Sequence, residues 1–388
     1  MIGIGTFTVN DEMRRLVNRV LDSGRISYGP LSREFEQRFA RIHDCEFGIL
    51  SNSGTSSLQV ALQAMKELYG WQDGDEVITQ SVTFVATVNV ILHNRLKPVL
   101  VDVDDCYGLN AYLLEAAITP RTRCIIPAHL FGQPCNMTDI QDIAHYHHLK
   151  VLEDSCETMF VSHNGKMTGN WGDIACFSLY VAHLLTAGVG GIATTNDPEL
   201  AVKMRSLVNH GRDGIYLSID DDDGLNVKEM KEVIQRRFNF ESVGHSYRIT
   251  ELEAALALGQ LDGGPSMIRQ RQRNAEYLTD KLCDLEMDDL LSLPHPRPHT
   301  EHAWMMYPVV ADGDKWALCS HLEEHGVETR EMMRLTDQPV YKGLWNPEDY
   351  PMADWINKHG IYIPSHQELT LSDLNQIVSA FYSYEWGI

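Results

Sequence analysis

Phe47-Gly-Ile-Leu50-Ser51-Asn-Ser53-Gly54-Thr55-Ser56-Ser57-Leu58 changes character midway. Phe47–Leu50 is an apolar run of strand length, and Ser51–Ser53 are turn and cap formers. From Thr55 to Leu68 the pattern is helical. A strand that turns directly into a helix opens a βα unit. Gly54 lets the backbone come close to an anion, and the free N–H groups of the helix start point at it. Thr55 and Ser56 add hydroxyl donors. The same residues also make an ordinary helix cap, so this stretch alone leaves both roles open.

Outward from it, short β-branched runs continue to about residue 195. Strand candidates are Glu76–Thr79, Pro98–Val103, Cys124–Ala128 and Lys150–Glu153, with a helix expected over Thr138–His147. The alternation predicts an α/β domain with a largely parallel sheet, whose ligands sit at the carboxyl ends of the strands. An Ala/Leu-rich helix is expected over Thr250–Leu261. The domain boundary is placed near Gly263–Gly264, giving a large domain at 1–262 and a small α/β domain at 263–388. The small domain has strand candidates Trp304–Val310 and Gly360–Ile363 and a final helix near Leu371–Tyr382.

Composition narrows the function classes. The chain has 388 residues, 44% of them hydrophobic, and a net charge of −22. Such a surface repels nucleic acid and anionic membranes. No charged-then-apolar leader opens the chain and no apolar run reaches the ~18 residues that span a bilayer, so a soluble cytoplasmic protein is expected. The eight cysteines are scattered without a C-x-x-C pair, which argues against a metal or iron–sulfur cluster. Asp220–Asp223 fails the calcium-loop pattern because Ile219 and Met230 occupy ligand slots, so it is expected to be a solvated acidic loop.

The remaining candidates fall at strand ends. Asp154, in Val151-Leu-Glu-Asp154-Ser-Cys-Glu157, either pairs with a protonated ring nitrogen or caps a turn. Glu157 lies one turn on, within reach of the same ligand. Phe84 offers a face for stacking on a flat ring, or packs in the core. Ser178 follows Phe177 at another strand end, where it can contact phosphate. Gly188, Gly190 and Gly191 imply tight backbone after His183.

Taken in order, these landmarks resemble the DegT/DnrJ/EryC1/StrS family of sugar aminotransferases. They include Ser-Gly-Thr-Ser-Ser-Leu (53–58), Thr-Phe-Val-Ala-Thr (83–87), Val-Asp-Val-Asp (101–104), His-Leu-Phe-Gly-Gln-Pro (129–134) and Glu-Asp-Ser-Cys-Glu (153–157). Phe-Ser (177–178), Asn-His-Gly-Arg-Asp (209–213) and Gly-His-Ser-Tyr-Arg-Ile-Thr-Glu-Leu-Glu-Ala-Ala (244–255) continue the series. The resemblance implies a fold-type I pyridoxal-phosphate enzyme with a mostly parallel seven-stranded sheet. It implies that Asp154 holds the pyridine nitrogen, that Phe84 stacks on the ring, and that Gly54, Thr55, Ser56 and Ser178 hold the phosphate. It also implies a homodimer with shared sites, in which a loop matching Gly244–Arg248 reaches the partner's phosphate. Ser246 stands where that loop usually carries asparagine.

His183 departs from the family pattern, which places lysine seven residues into Cys176–Gly191. An imidazole makes no covalent link to the cofactor but still moves a proton. Histidine here is similar to a small branch of 3-dehydratases acting on GDP-4-keto-6-deoxymannose, and Ser365-His366-Gln367 resembles a short segment of that branch. Val189-Gly190-Gly191 replaces the branch's usual Glu-Gly-Gly. The expectation is a 3-dehydratase of a nucleotide-linked 4-keto-6-deoxy sugar. Its cofactor would be pyridoxamine phosphate held noncovalently, its base His183 with a pKa near 7, and its amino donor L-glutamate. The alternatives are a lysine-free aminotransferase-like enzyme on another keto substrate and a non-catalytic cofactor-binding homologue. Of the eleven lysines, Lys166 is nearest but reads as an exposed turn. His210, Arg212 and Arg248 are equally compatible with a diphosphate or the surface.

Overall fold

A computed structural model gives the fold, describing residues 1–215, 217 and 223–386. Asp220–Asp222 of the acidic run lie outside the described residues. The large sheet has seven strands in the order Phe47–Ser51, Gly191–Thr195, Ile174–Ser178, Lys150–Asp154, Thr122–Ile126, Glu76–Gln80, Lys97–Val101. Only Gly191–Thr195 runs against the rest. The sheet is therefore mostly parallel, as expected, with one reversed strand that alternating βα units do not foretell.

Parallel strands need cover on both faces, and the side chains supply it by alternation. Val77, Cys124, Ile126 and Leu152 pack with Leu58, Leu62 and Met65 of the helix Gly54–Leu68. Ile78, Ile125 and Val151 point the other way, onto Met137 and Ile140 of the helix Met137–Tyr146. The Ala/Leu-rich helix Glu251–Leu261 is apolar on most sides because other helices enclose it. Gly259 touches the backbone of Met13, where a Cβ would stand 2.9 Å from Met13 Cα. Its first residue, Glu251, is buried and accepts the amides of Gly29, Leu31 and Ser32 at 2.8–3.0 Å, capping the helix Pro30–Ile42 from a distant part of the chain.

The later residues build a second sheet, antiparallel throughout, in the order Leu291–Ser292, Tyr307–Ala311, Gly360–Ile363, Arg330–Glu331. Helices Gly264–Met287, Lys315–Glu324 and Leu371–Tyr382 close a separate apolar cluster around it, including Leu278, Tyr307, Ile361 and Phe381. Strand boundaries shift from the expected ones by a few residues: Thr122–Ile126 replaces Cys124–Ala128, and Tyr307–Ala311 replaces Trp304–Val310. Asp102, just past a strand of the large sheet, accepts the amides of Met352 (2.8 Å) and Ala353 (3.0 Å) at the start of the helix Pro351–His359. A carboxylate at a helix N-terminus is stabilising there, and it ties the late helix to the large sheet.

Candidate active site

The carboxyl ends of Phe47–Ser51, Glu76–Gln80, Thr122–Ile126, Lys150–Asp154 and Ile174–Ser178 open on one cavity of about 660 Å³. Gly54, Thr55, Phe84, Asp154, Glu157, Ser178 and His183 all line it, so the sequence candidates from five separate segments meet.

Each is placed by a local cause. Ser53 caps its helix, its hydroxyl accepting the Ser56 amide at 3.0 Å, and this leaves the first helical amides facing the cavity end. At Gly54 a Cβ would stand 2.7 Å from Cys156 Sγ and 3.0 Å from Ser178 Cβ, so the cradle admits only glycine without displacement. Ser56 is buried just behind it, and its hydroxyl accepts from Ser53 at 3.0 Å. Gly191 starts the reversed strand, and a Cβ there would meet the Ser53 carbonyl oxygen at 2.3 Å. Gly188 (φ +87°) and Gly190 (φ +140°) take left-handed backbone in the return from His183, which explains the tight glycine run.

Asp154 ends its strand with a buried carboxylate. Thr87 Oγ donates to Asp154 Oδ2 at 2.7 Å, and the Cys156 amide to Oδ1 at 3.3 Å. Thr87 was not assigned a role from sequence, although it lies in the quoted Thr83–Thr87 motif. Its spacing one helical turn from Phe84 was the available signal. Phe84 itself is 59% exposed, with its ring left uncovered at the cavity wall. Glu157 accepts the Phe131 amide at 2.8 Å, and Phe131 adopts φ +57° to deliver it. Burial raises the Glu157 carboxyl to about 7, the Asp154 charge adds to the rise, and the Phe131 amide opposes it.

His129 beneath this floor is fully enclosed. The Cys135 amide donates to its Nδ1 at 3.1 Å, so Nε2 carries the proton and donates to Glu153 (3.1 Å). Glu153 also takes the amides of Gly169, Trp171 and Gly172. These buried polar groups are satisfied and fix the strand ends.

His183 sits in a turn, its amide donating to the Tyr180 carbonyl at 2.9 Å, with the Tyr180 ring edge-on at 5.7 Å. The loop is pinned by Leu179 N to Gly190 O at 2.9 Å, and by Gln260, which bonds both the amide and the carbonyl of Thr186. Nδ1 of His183 is buried and has no hydrogen-bond partner. Burial, with the buried Arg271 charge adding, lowers its pKa to about 4, so the ring is neutral at physiological pH. A base titrating near 7 was expected; the lower value follows from enclosure without a carboxylate partner.

Ser246 lies elsewhere. It lines a different cavity with Tyr28, Arg205 and Arg248, and receives Arg248 Nη2 at 3.0 Å. Neither His210 nor Arg212 nor Arg248 lines the His183 cavity. Lys166 is exposed in the hairpin Ser162–Met167, its ammonium over the Trp171 ring at 4.9 Å. Sequence reasoning missed Tyr180, Met305, Met306, Glu328, Arg330 and Tyr362, which complete the wall.

A glycine-cradled helix start, a strand-end carboxylate and an uncovered phenyl ring around one cavity fit a phosphorylated pyridine. They define a fold-type I enzyme of the vitamin-B6 class. The chain belongs to the DegT/DnrJ/EryC1/StrS aminotransferase family, whose sequence profile matches residues 8–382. It is 34% identical over 360 residues to the GDP-perosamine synthase of Caulobacter vibrioides, covering 91% of this chain and 90% of that one. It is 32% identical over 373 residues to the dTDP-4-dehydro-2,6-dideoxy-D-glucose 3-dehydratase of Saccharopolyspora spinosa, covering 92% of this chain and 79% of that one. The E. coli GDP-4-keto-6-deoxy-D-mannose-3-dehydratase, solved with bound hydrated PLP, superposes with a TM-score of 0.86 at 23% identity, covering 98% and 99% of the two chains. That last likeness speaks to the fold. Among the described residues no helix is long and apolar enough to cross a membrane.

Proposed function

We propose that the protein is a pyridoxamine-phosphate-dependent 3-dehydratase of a nucleotide-linked 4-keto-6-deoxy sugar. One observation carries this reading: His183 lines the cavity that holds Asp154 and Ser178, and no lysine lines it among the described residues. Gly54, Thr55, Ser56 and Ser178 would hold the cofactor's phosphate, Asp154 its ring nitrogen and Phe84 its face. When bound, the cofactor supplies an amine that condenses with a ketone and an electron-poor ring that delocalises charge.

The protein's own groups do the rest. Neutral His183 keeps one unprotonated ring nitrogen and takes a proton there without first losing one. Such proton transfer typically contributes about 10²–10⁴-fold. Asp154, held by the Thr87 hydroxyl, would meet the ring nitrogen. Glu157 is poised between charge states near neutrality and exchanges a proton at its carboxyl oxygen. The net change is loss of the C3 hydroxyl, giving a 3-deoxy sugar. L-Glutamate is the amino donor and the reductant, and its nitrogen leaves as ammonia. We place the enzyme in the cytoplasm as a homodimer. The position of Ser246 outside its own chain's cavity supports a loop that serves the partner.

The likeness to a perosamine synthase favours a second reading, net amino transfer to the sugar. The protein is to be incubated with pyridoxamine phosphate, L-glutamate and a nucleotide-linked 4-keto-6-deoxy sugar. Ammonia release with water lost from the sugar is expected, whereas nitrogen retained on the sugar establishes the second reading. His183→Lys with added pyridoxal phosphate is expected to acquire a visible absorption band that survives dialysis. No such band means that residue 183 does not face the cofactor.

A further inference from the structure

Nδ1 of His183 has no hydrogen-bond partner, so the ring is aimed by the backbone that bears it. Ile4 and Gly5, far away in sequence, line the same cavity beside Val181 and Ala182. Their segment is anchored first to the small sheet. Ile2 bridges Val327 in parallel, its amide donating to the Gly326 carbonyl at 2.7 Å and its carbonyl accepting the Glu328 amide at 3.0 Å. The Ile4 amide donates to Glu328 Oε2 at 2.7 Å. His366 accepts the Glu368 amide at Nδ1 (3.3 Å) and turns its other nitrogen to the Gly3 backbone. The segment then meets the His183 turn. A Cβ at Gly5 would stand 2.9 Å from Ala182 Cα and 3.2 Å from the Val181 carbonyl oxygen. Both are backbone atoms, so no side-chain rotation relieves the contact. Gly5 is not left-handed, and glycine therefore serves the close approach alone. Ile2 and Ile4 are both buried but in different apolar clusters. Ile2 belongs with Leu278 and Phe381 around the small sheet, Ile4 with Leu184 and Leu185 of the His183 loop.

We propose that residues 2–5 are a positioning strap for the His183 turn, with Gly5 as the point where it bears on Val181 and Ala182. The contact stands by itself; its consequence for proton transfer rests on the reading above. A base without a hydrogen-bonded partner keeps its place only as well as its backbone does, and a misplacement of about 1 Å costs on the order of a hundredfold in rate. The Ser365-His366-Gln367 segment noted in the sequence gains a part here, since His366 holds the strap at Gly3.

Hydrogen exchange on the full-length, cofactor-free protein tests the contact, and absorbance of His183→Lys with pyridoxal phosphate tests its consequence. Gly5→Ala crowds the turn and Ile4→Ala loosens the strap. Both are expected to quicken exchange at residues 179–187 about tenfold, with residues 54–68 unchanged. Combined with His183→Lys, Gly5→Ala is expected to slow growth of the visible band about tenfold at saturating cofactor. With His183 in place, Gly5→Ala is expected to lower kcat about tenfold while KM stays within about threefold. Exchange at residues 179–187 that changes less than about twofold in both variants overturns the proposal, as does a band that grows at the unaltered rate. Melting temperatures establish that each variant is folded; should Gly5→Ala unfold, Ile4→Ala carries the exchange test. If His183→Lys alone gives no band, the functional reading falls and exchange alone decides the strap. Quickened exchange in the variants, with no sugar dehydrated by the unaltered protein, likewise sinks the functional reading and leaves the strap standing.

Discussion

His183 and Glu157 are titratable groups displaced in opposite senses by the same enclosure. The imidazole is lowered to about 4, so its charged form is disfavoured in the fold. The acid limb of kcat/KM that belongs to His183 is therefore expected near pH 4, well below the ordinary histidine value of about 6.5. A pH–rate profile of His183→Asn against the parent checks this, and an acid limb near 6.5 contradicts it. The Glu157 carboxyl is raised to about 7. Between the ordinary value and 7 the native state holds a proton that the unfolded chain has lost, so stability falls as pH rises through that window. Glu157→Gln is then expected to melt higher than the parent at pH 8, by up to about 3 kcal/mol in the cofactor-free protein, and to match it at pH 4. Differential melting at the two pH values decides it. The titration behaviour was not legible in the sequence, which gives residue types but not the enclosure or the distant Arg271 that lowers the imidazole further.

At the scale of elements, the site is a row of strand ends, and most of that row could be read from alternating periodicity. Gly360–Ile363 and Leu371–Tyr382 have the bounds expected of them, and the helices at 54–68 and 137–146 begin within a residue of expectation. Gly191–Thr195 escaped because Gly-Ile-Ala-Thr-Thr carries little apolar weight, although the helix Pro198–Val208 follows it. Arg330 and Glu328 escaped because they belong to the small sheet, and only tertiary packing brings that sheet's edge to the cavity. The helix start at Gly54 yields a sharp prediction. Gly54→Ala forces a Cβ against Cys156 and Ser178. Overpacking of this kind costs about 1–3 kcal/mol, which is on the order of ten- to a hundredfold in cofactor affinity if the cradle opens to absorb it. Titration of pyridoxamine phosphate by fluorescence measures the loss, and an unchanged affinity removes Gly54 from the cradle.

For the whole molecule, a mostly parallel and an antiparallel sheet both contribute to one cavity, and the buried carboxylate of Asp102 ties the late helix Pro351–His359 to the large sheet. Asp102 receives the Ser81 hydroxyl and the amides of Val103, Met352 and Ala353. Asp102→Ala strands these donors, and hydrogen bonds to a charged acceptor are worth about 1.5–3 kcal/mol each. A loss of about 2–4 kcal/mol is expected in urea unfolding, with hydrogen exchange quickening first at residues 351–359. Exchange that stays uniform across the chain contradicts a tie at that point. The acidic surface and the strand-end site were readable at this scale without coordinates. The tie was not, since Asp102 and Met352 are 250 positions apart.

The reversed strand Gly191–Thr195 lies beside Ile174–Ser178, and the chain segment bearing His183 leaves one and comes home on the other. Both ends of that segment are thus stitched into the sheet, whichever side chain stands at its tip. On the proposed reading, an exchange at that tip is expected to change the chemistry without re-registering any strand, which leaves the scaffold free to keep its register while its output is altered.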